Sequence, residues 1–133
     1  MSKWSEASIL KKIRNPTSEA YEIKIHSPEI TFIGAEAQPD FAVANITFYP
    51  DQSVIELKSL KQYFFQFRDT RISYERIINT VYADLMDIYS PKRIRIVMEF
   101  NVRGGITSKL TIDSDWKVRG GKEEFNDWTK TEE

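Results

Sequence analysis

The side chains best suited to chemistry cluster between Ala37 and Arg68, in AQPDFAVANITFYPDQSVIELKSLKQYFFQFR. Asp40 follows Gln38-Pro39 and precedes Phe41, and a carboxylate there can exchange protons with a bound molecule. Glu56-Leu57-Lys58-Ser59-Leu60-Lys61 then supplies a carboxylate, two ammonium groups and a hydroxyl in close succession, with Arg68 downstream. Tyr74-Glu75 follows Ser73, and Arg103 precedes Gly104-Gly105. Each also has an ordinary structural reading. Asp40 after a proline suits a turn, and Glu75 suits the first turn of a helix. Lys58 and Lys61 suit a solvated face, and Tyr63, Phe64 and Phe67 suit a core.

Composition removes several kinds of chemistry. The chain has 133 residues and no cysteine. That excludes thiolate nucleophiles, disulfides and thiolate metal sites. One histidine, His26, is too few for a histidine metal centre, so no metal is expected. The formal net charge of −1 makes no global electrostatic case for nucleic acid or membrane as a partner. No apolar run approaches the ~20 residues of a membrane span, and no signal-peptide core opens the chain. A cytoplasmic protein with one domain over residues 1–133 is expected, able to bury roughly two-thirds of its unfolded surface.

The elements that must hold these residues follow from hydrophobic period. Residues 1–20 read as a packing arm, with Trp4, Ile9 and Ile13 on one face of a short helix ending near Asn15-Pro16. Tyr21 to Ser27 alternates as a half-exposed strand stopped at Pro28, with His26 on its polar face. Ile30 to Gln38 reads as irregular. Ala42, Ala44, Ile46 and Phe48 define a second strand ending before Pro50-Asp51. From about Lys58 to Phe67 the period lengthens, and Leu57, Leu60, Phe64 and Phe67 recur as on a helix. Ser73 is a candidate N-cap for a second helix whose stripe is Ile77, Ile78, Val81, Leu85 and Ile88. Arg93–Val102 and Ile106–Asp113 read as strands joined through Gly104-Gly105. Residues 114–133 read as a polar tail, mobile or docked on a partner.

The resulting order is ββααββ, an α+β fold with a four-stranded antiparallel sheet and two helices on one face. Its two open sheet edges need covering, and pairing between subunits into a closed barrel is one solution, so a homo-oligomer is expected.

This order, with its motifs, resembles the QueF family of the tunneling fold, enzymes that reduce the nitrile of 7-cyano-7-deazaguanine with NADPH in queuosine biosynthesis. Three pieces carry the resemblance: Gln38-Pro39-Asp40-Phe41-Ala42, Glu56-Leu57-Lys58-Ser59-Leu60-Lys61-Gln62-Tyr63-Phe64 continuing to Phe67-Arg68, and Arg103-Gly104-Gly105. The resemblance implies that Asp40 is the general acid and that Glu75 binds a purine-like ligand, with Glu56 and Tyr74 beside it. It also implies that Lys58, Ser59, Lys61, Arg68 and Arg103 contact an NADPH cofactor. In the family a cysteine about seven residues before the aspartate attacks the nitrile and forms a thioimide. Here that place falls at or beside Ile33-Gly34, and Tyr74 stands where the family has a histidine.

The expectation is therefore a QueF-like protein that binds a 7-deazaguanine or related purine or pterin ligand, linked to tRNA modification, without ordinary thioimide-forming reduction. One alternative is a non-catalytic oligomeric binding or assembly protein. Another is NADPH-dependent reduction, or an amidinotransferase-like reaction, by an altered mechanism.

Overall fold

The structure is a computed structural model and describes residues 4–115. After a short 3-10 turn at Ala7–Ile9 come β1 (Lys12–Arg14), β2 (Ile23–Ile33), β3 (Pro39–Tyr49) and β4 (Ser53–Ile55). Next are α1 (Leu57–Phe65), extended by a 3-10 turn at Gln66–Asp69, and α2 (Tyr74–Tyr89). Strands β5 (Arg93–Arg103) and β6 (Ile106–Asp113) complete the described chain. The main sheet runs β2-β3-β5-β6, antiparallel throughout. The ββααββ expectation holds, with a small β1-β4 ribbon added.

Period-two alternation places one face of the sheet against the helices. Ala42, Ala44, Ile46 and Phe48 of β3 lie beside Ile94, Ile96, Met98 and Phe100 of β5, all buried. Leu60, Tyr63, Phe64 and Phe67 descend from the first helical segment, and Ile77, Ile78, Val81 and Leu85 from α2. Each fully buried large apolar side chain contributes about 1.5–3 kcal/mol relative to exposure. Rings lock the layers edge to face, as in Phe48 on Tyr89 at 6.0 Å and 89°. Between the helices, Asp84 Oδ2 accepts from Tyr63 at 2.5 Å and from Ser5 at 2.6 Å. That buried carboxylate ties the N-terminal segment to both helices.

The termini of the elements follow their local chemistry. Ser73 caps α2, its Oγ accepting the Arg76 N–H at 3.1 Å. Ser90 ends that helix in the left-handed region at φ 43, just before Pro91. Arg103 pairs with Ile106 across Gly104 and Gly105, at φ 57 and 79, which gives the two-residue hairpin its type I′ shape.

Four expectations need correction. The N-terminal segment is not a helix: Lys12–Arg14 pairs with Ser53–Ile55, and Ile13, opposite Val54, is exposed. A short isolated helix is marginal, whereas β4 supplies main-chain partners. Strand β2 does not stop at Pro28; a bulge between Ser27 and Ile30 absorbs Pro28 and Glu29 at the sheet edge, where a missing N–H costs no ladder bond. The irregular reading of 30–38 fails for the same reason at Ile30–Ile33, which belong to β2. Leu57, at the first helical position, is 59% exposed and outside the buried stripe. The tail beyond Asp115 lies outside the described residues.

Candidate functional site

Asp40 is the second residue of β3 and falls on the inward face, 1% exposed. The turn before it is tight: the Gly34 N–H donates to the Gln38 carbonyl at 2.7 Å, and the Ala37 N–H donates to the Gly34 carbonyl at 2.8 Å. Ala37 carries the left-handed φ of 65 that this turn requires. The segment between the helices grips the same loop. Ile33 N–H donates to the Thr70 carbonyl and Ile72 N–H to the Ile33 carbonyl, both at 2.9 Å, while Arg71 Nε donates to the Ala35 carbonyl at 3.0 Å. These bonds bring the start of α2, with Tyr74 and Glu75, to the Asp40 end of the sheet.

Asp40 is well partnered. Its Oδ1 accepts from Arg103 Nε at 2.8 Å and from Asn101 Nδ2 at 3.1 Å; its Oδ2 accepts from Gln38 Nε2 at 3.1 Å. Arg103 Nη2 reaches the same Oδ1 and donates to the Pro39 carbonyl at 2.6 Å. Tyr74 stacks on Phe100 at 4.1 Å and 9°, and meets Phe32 edge-on at 5.9 Å. Burial first, and then the charge of Asp40, pushes the Tyr74 phenol up, so its hydroxyl stays a proton-bearing donor beside Asp40 and Arg103. Glu75 is exposed in the first turn of α2. A cleft of about 520 Å³ is lined by Glu36, Gln38, Asp40, Tyr74, Glu75 and Arg103 among others. That volume suits a small heterocycle.

A family model described as QueF-like protein matches residues 39–119. The chain belongs to the QueF-like family. It is similar to the NADPH-dependent 7-cyano-7-deazaguanine reductase of Chlorobaculum tepidum, with 43% identity over 93 residues covering 69% of this chain and 80% of the relative. A protein of the same name from Magnetococcus marinus is 39% identical over 110 residues, covering 81% and 86%. Among solved structures, the archaeosine synthase QueF-Like in the apo form superposes with a TM-score of 0.62 over 75% of this chain and 96% of that one. At 12% identity that likeness speaks for the fold.

In this QueF-like chain the cleft unites Asp40, Tyr74, Glu75 and Arg103 from among the expected site residues. Arg103, expected at a cofactor, bonds to Asp40. The others lie elsewhere. Glu56 caps α1, accepting the Ser59 N–H at 2.8 Å. Ser59 is 1% exposed; its hydroxyl donates to the Glu56 carbonyl at 2.7 Å and accepts from the Lys11 N–H at 3.0 Å. Lys58 is exposed on α1. Lys61 and Arg68 line a second hollow of about 440 Å³, between α1 and the bulged edge of β2, with Leu57, Leu60, Phe64 and Phe65. There the Arg68 guanidinium lies 4.5 Å over the Phe65 ring.

Gly34 is buried, and a Cβ built on it would collide with Asp40 Oδ2 and Gln38 Nε2. Position 34 therefore looks directly at the Asp40 carboxylate, and here it carries no side chain. Gln38 and Asn101, both bonded to Asp40, were not among the expected site residues. Gln38 opens the Gln38-Pro39-Asp40-Phe41-Ala42 motif and was readable as a partner. Asn101 had no signal of its own, because its role depends on the β3-β5 pairing.

Proposed function

We propose that this QueF-like protein binds a 7-deazaguanine or related purine or pterin in the Asp40–Glu75 cleft, within 7-deazaguanine and queuosine tRNA-modification metabolism. It does so without forming a thioimide. The observation that carries the reading is the conjunction at one cleft of Asp40, Tyr74, Glu75 and Arg103, beside a position 34 that has no side chain. Curated relatives named for 7-cyano-7-deazaguanine supply the ligand class.

The chemistry fits such a ligand. A carboxylate at Glu75 accepts two adjacent N–H groups of a guanine-like edge, each charge-assisted bond contributing about 1.5–3 kcal/mol, at the lower end while the site is open to water. Tyr74 offers a hydroxyl, and the stacked Tyr74–Phe100 pair gives the cleft a firm wall. Asp40 is the acid/base group of any reaction that does occur, and Arg103 and Asn101 hold it in place. Covalent attack on a nitrile needs a nucleophile with a base to activate it. The chain has no cysteine, and the hydroxyl of Ser59 is enclosed by its own helix cap.

NADPH, the cofactor of the named relatives, supplies hydride. Lys61 and Arg68 at the second hollow fit its phosphates by charge, and Phe64 and Phe65 offer a flat apolar wall. The enclosed Ser59 does not fit that role. Homo-oligomerisation belongs to the same proposal: β2 and β6 end the main sheet on open edges, and Leu57, Phe65 and Ile106 are exposed at 59%, 61% and 71%. Light scattering on the purified chain is expected to give a multiple of 15.6 kDa; a monomer at micromolar concentration would remove that part.

Calorimetry with 7-cyano-7-deazaguanine, 7-deazaguanine and guanine tests the binding reading. Micromolar binding that weakens at least tenfold in Glu75→Ala is expected; no binding to any of the three would overturn it. Absorbance at 340 nm is expected to show no NADPH oxidation with the nitrile. A clear rate would overturn the exclusion of reduction.

A further inference from the structure

Two walls face each other across the Asp40–Glu75 cleft. Ala35, Glu36 and Gln38 come from the loop before β3, and Ser73, Tyr74 and Glu75 come from the start of α2. The α2 wall is firmly seated: Ile72 beside it is 2% exposed, Ser73 caps the helix, and Tyr74 stacks on Phe100. The loop wall is held differently. Residues 35–37 are exposed, and the two main-chain bonds of the turn, Gly34 N–H to the Gln38 carbonyl and Ala37 N–H to the Gly34 carbonyl, both stay inside the loop. An exposed tip of this kind belongs to the low-stability end of a fold.

One side chain ties that tip to the opposite wall. Arg71 donates to the Ala35 carbonyl from Nε at 3.0 Å and from Nη2 at 2.5 Å, using both of its lone-pair positions. Among the described residues, the Ala35 carbonyl has no other donor. Arg71 is itself anchored through its main chain, which bridges to Ile33 and runs into the buried Ile72. The guanidinium fork therefore reaches from the seated wall to the exposed one. It also works against charge, because Glu36 on the loop and Glu75 on α2 repel each other across the cleft.

We propose that Arg71 is a positioning residue of this cleft. It touches no ligand, and it holds the Ala35–Ala37 tip in place before a ligand arrives. Without the fork, the ligand has to order the tip on binding, and that cost is taken from affinity. The effect on affinity rests on the purine-cleft reading above, whereas the effect on the loop does not.

The test uses the full chain, whose lack of cysteine allows clean labelling. Nitroxides on Glu36→Cys and Asn79→Cys, exposed positions on the loop tip and on α2, report the distance between the walls by pulsed electron paramagnetic resonance. One narrow distance is expected with Arg71 present, and a broader distribution reaching longer distances in Arg71→Ala. Arg71→Lys keeps the charge without the planar fork and is expected to fall between them. In unlabelled protein, calorimetry is expected to show 7-deazaguanine binding about tenfold more weakly to Arg71→Ala than to wild type, with a less favourable binding entropy. Should Arg71→Ala fail to fold, Arg71→Lys carries both comparisons. An unchanged distance distribution overturns the proposal, whether or not the ligand binds. Broadening with unchanged affinity also overturns it and reduces the fork to a structural bond. Broadening in a protein whose wild type binds no 7-deazaguanine supports the hold on the loop and counts against the purine cleft.

Discussion

Arg103 and Asp40 lie 63 residues apart in the chain, yet the guanidinium donates from Nε to the buried carboxylate at 2.8 Å. The same guanidinium reaches the carbonyl of Pro39, so it joins the end of β5 to the start of β3. A carboxylate that is 1% exposed needs such a partner, because an unpaired buried charge is strongly destabilising.

Arg103→Ala removes both anchors at once. With hydrogen bonds to a charged group contributing about 1.5–3 kcal/mol, and with Arg103 45% exposed, a loss near the lower end is expected. Arg103→Lys recovers only part of it, since an ammonium cannot serve the Asp40 carboxylate and the Pro39 carbonyl in one planar fork. Urea unfolding measures both variants; an unchanged midpoint for the alanine variant would show that the pair has no weight.

Gly34→Cys tests where position 34 points. A thiol there should lie against Asp40, once the Asp40 carboxylate and the Gln38 amide both shift to admit its Cβ at a packing cost of about 1–3 kcal/mol. Incubated with 7-cyano-7-deazaguanine, the sulfur would bond to the nitrile carbon while the thiol proton goes to nitrogen, and nothing leaves. Intact mass spectrometry should then show a gain of the whole ligand mass in the variant and none in the wild type. A variant that folds and binds the nitrile without an adduct would contradict this geometry.

Ala37 holds a left-handed conformation with φ 65 in the turn before Asp40. A side chain there costs about 1–2 kcal/mol that glycine avoids. Ala37→Gly is expected to stabilise the protein by roughly 1 kcal/mol, less than the full strain because glycine also gains freedom in the unfolded chain. The change should raise the thermal midpoint.

Two buried phenols set the alkaline limit. Tyr89 is pushed up to about 12, chiefly by burial, and Tyr63 is pushed higher by burial and by its hydrogen bond to Asp84. Above the ordinary phenol value of 10, the unfolded chain releases protons that the native state still holds. The stability tied to Tyr89 is therefore complete below pH 10 and lost as pH rises through about 12. In thermal melts, Tyr89→Phe should flatten that decline while losing about 1 kcal/mol at neutral pH with the 2.7 Å bond to the Lys11 carbonyl. Parallel alkaline curves for the two proteins would refute the assignment.

Much of this molecule was readable along the chain. Period two marked β3, β5 and β6, period 3.6 marked the two helices, Ser73 announced a cap, and Gly104-Gly105 announced a hairpin. Those signals are local: they come from alternation, from capping and from the φ values that glycine permits. They also carried the QueF resemblance, since Gln38-Pro39-Asp40 and the Glu56–Lys61 motif are contiguous. Where local rules failed, a distant partner had intervened. Lys12–Arg14 became a strand because Ser53–Ile55 offered an edge, and β2 passed Pro28 because a bulge at that edge absorbed it.

The site was only half legible. Asp40, Tyr74, Glu75 and Arg103 were nameable by type, but their convergence depends on β3 pairing with β5 and on the Ile33–Arg71 bridge that seats the start of α2. Asn101 and Gln38 became partners of Asp40, and Ser59 was enclosed by its cap, through contacts that one-dimensional spacing does not encode. Sequence alone established the residue types, the elements, the family likeness and the missing thiol. Only tertiary packing could decide which charges meet and which way position 34 faces, because those contacts join segments that nothing in local periodicity relates.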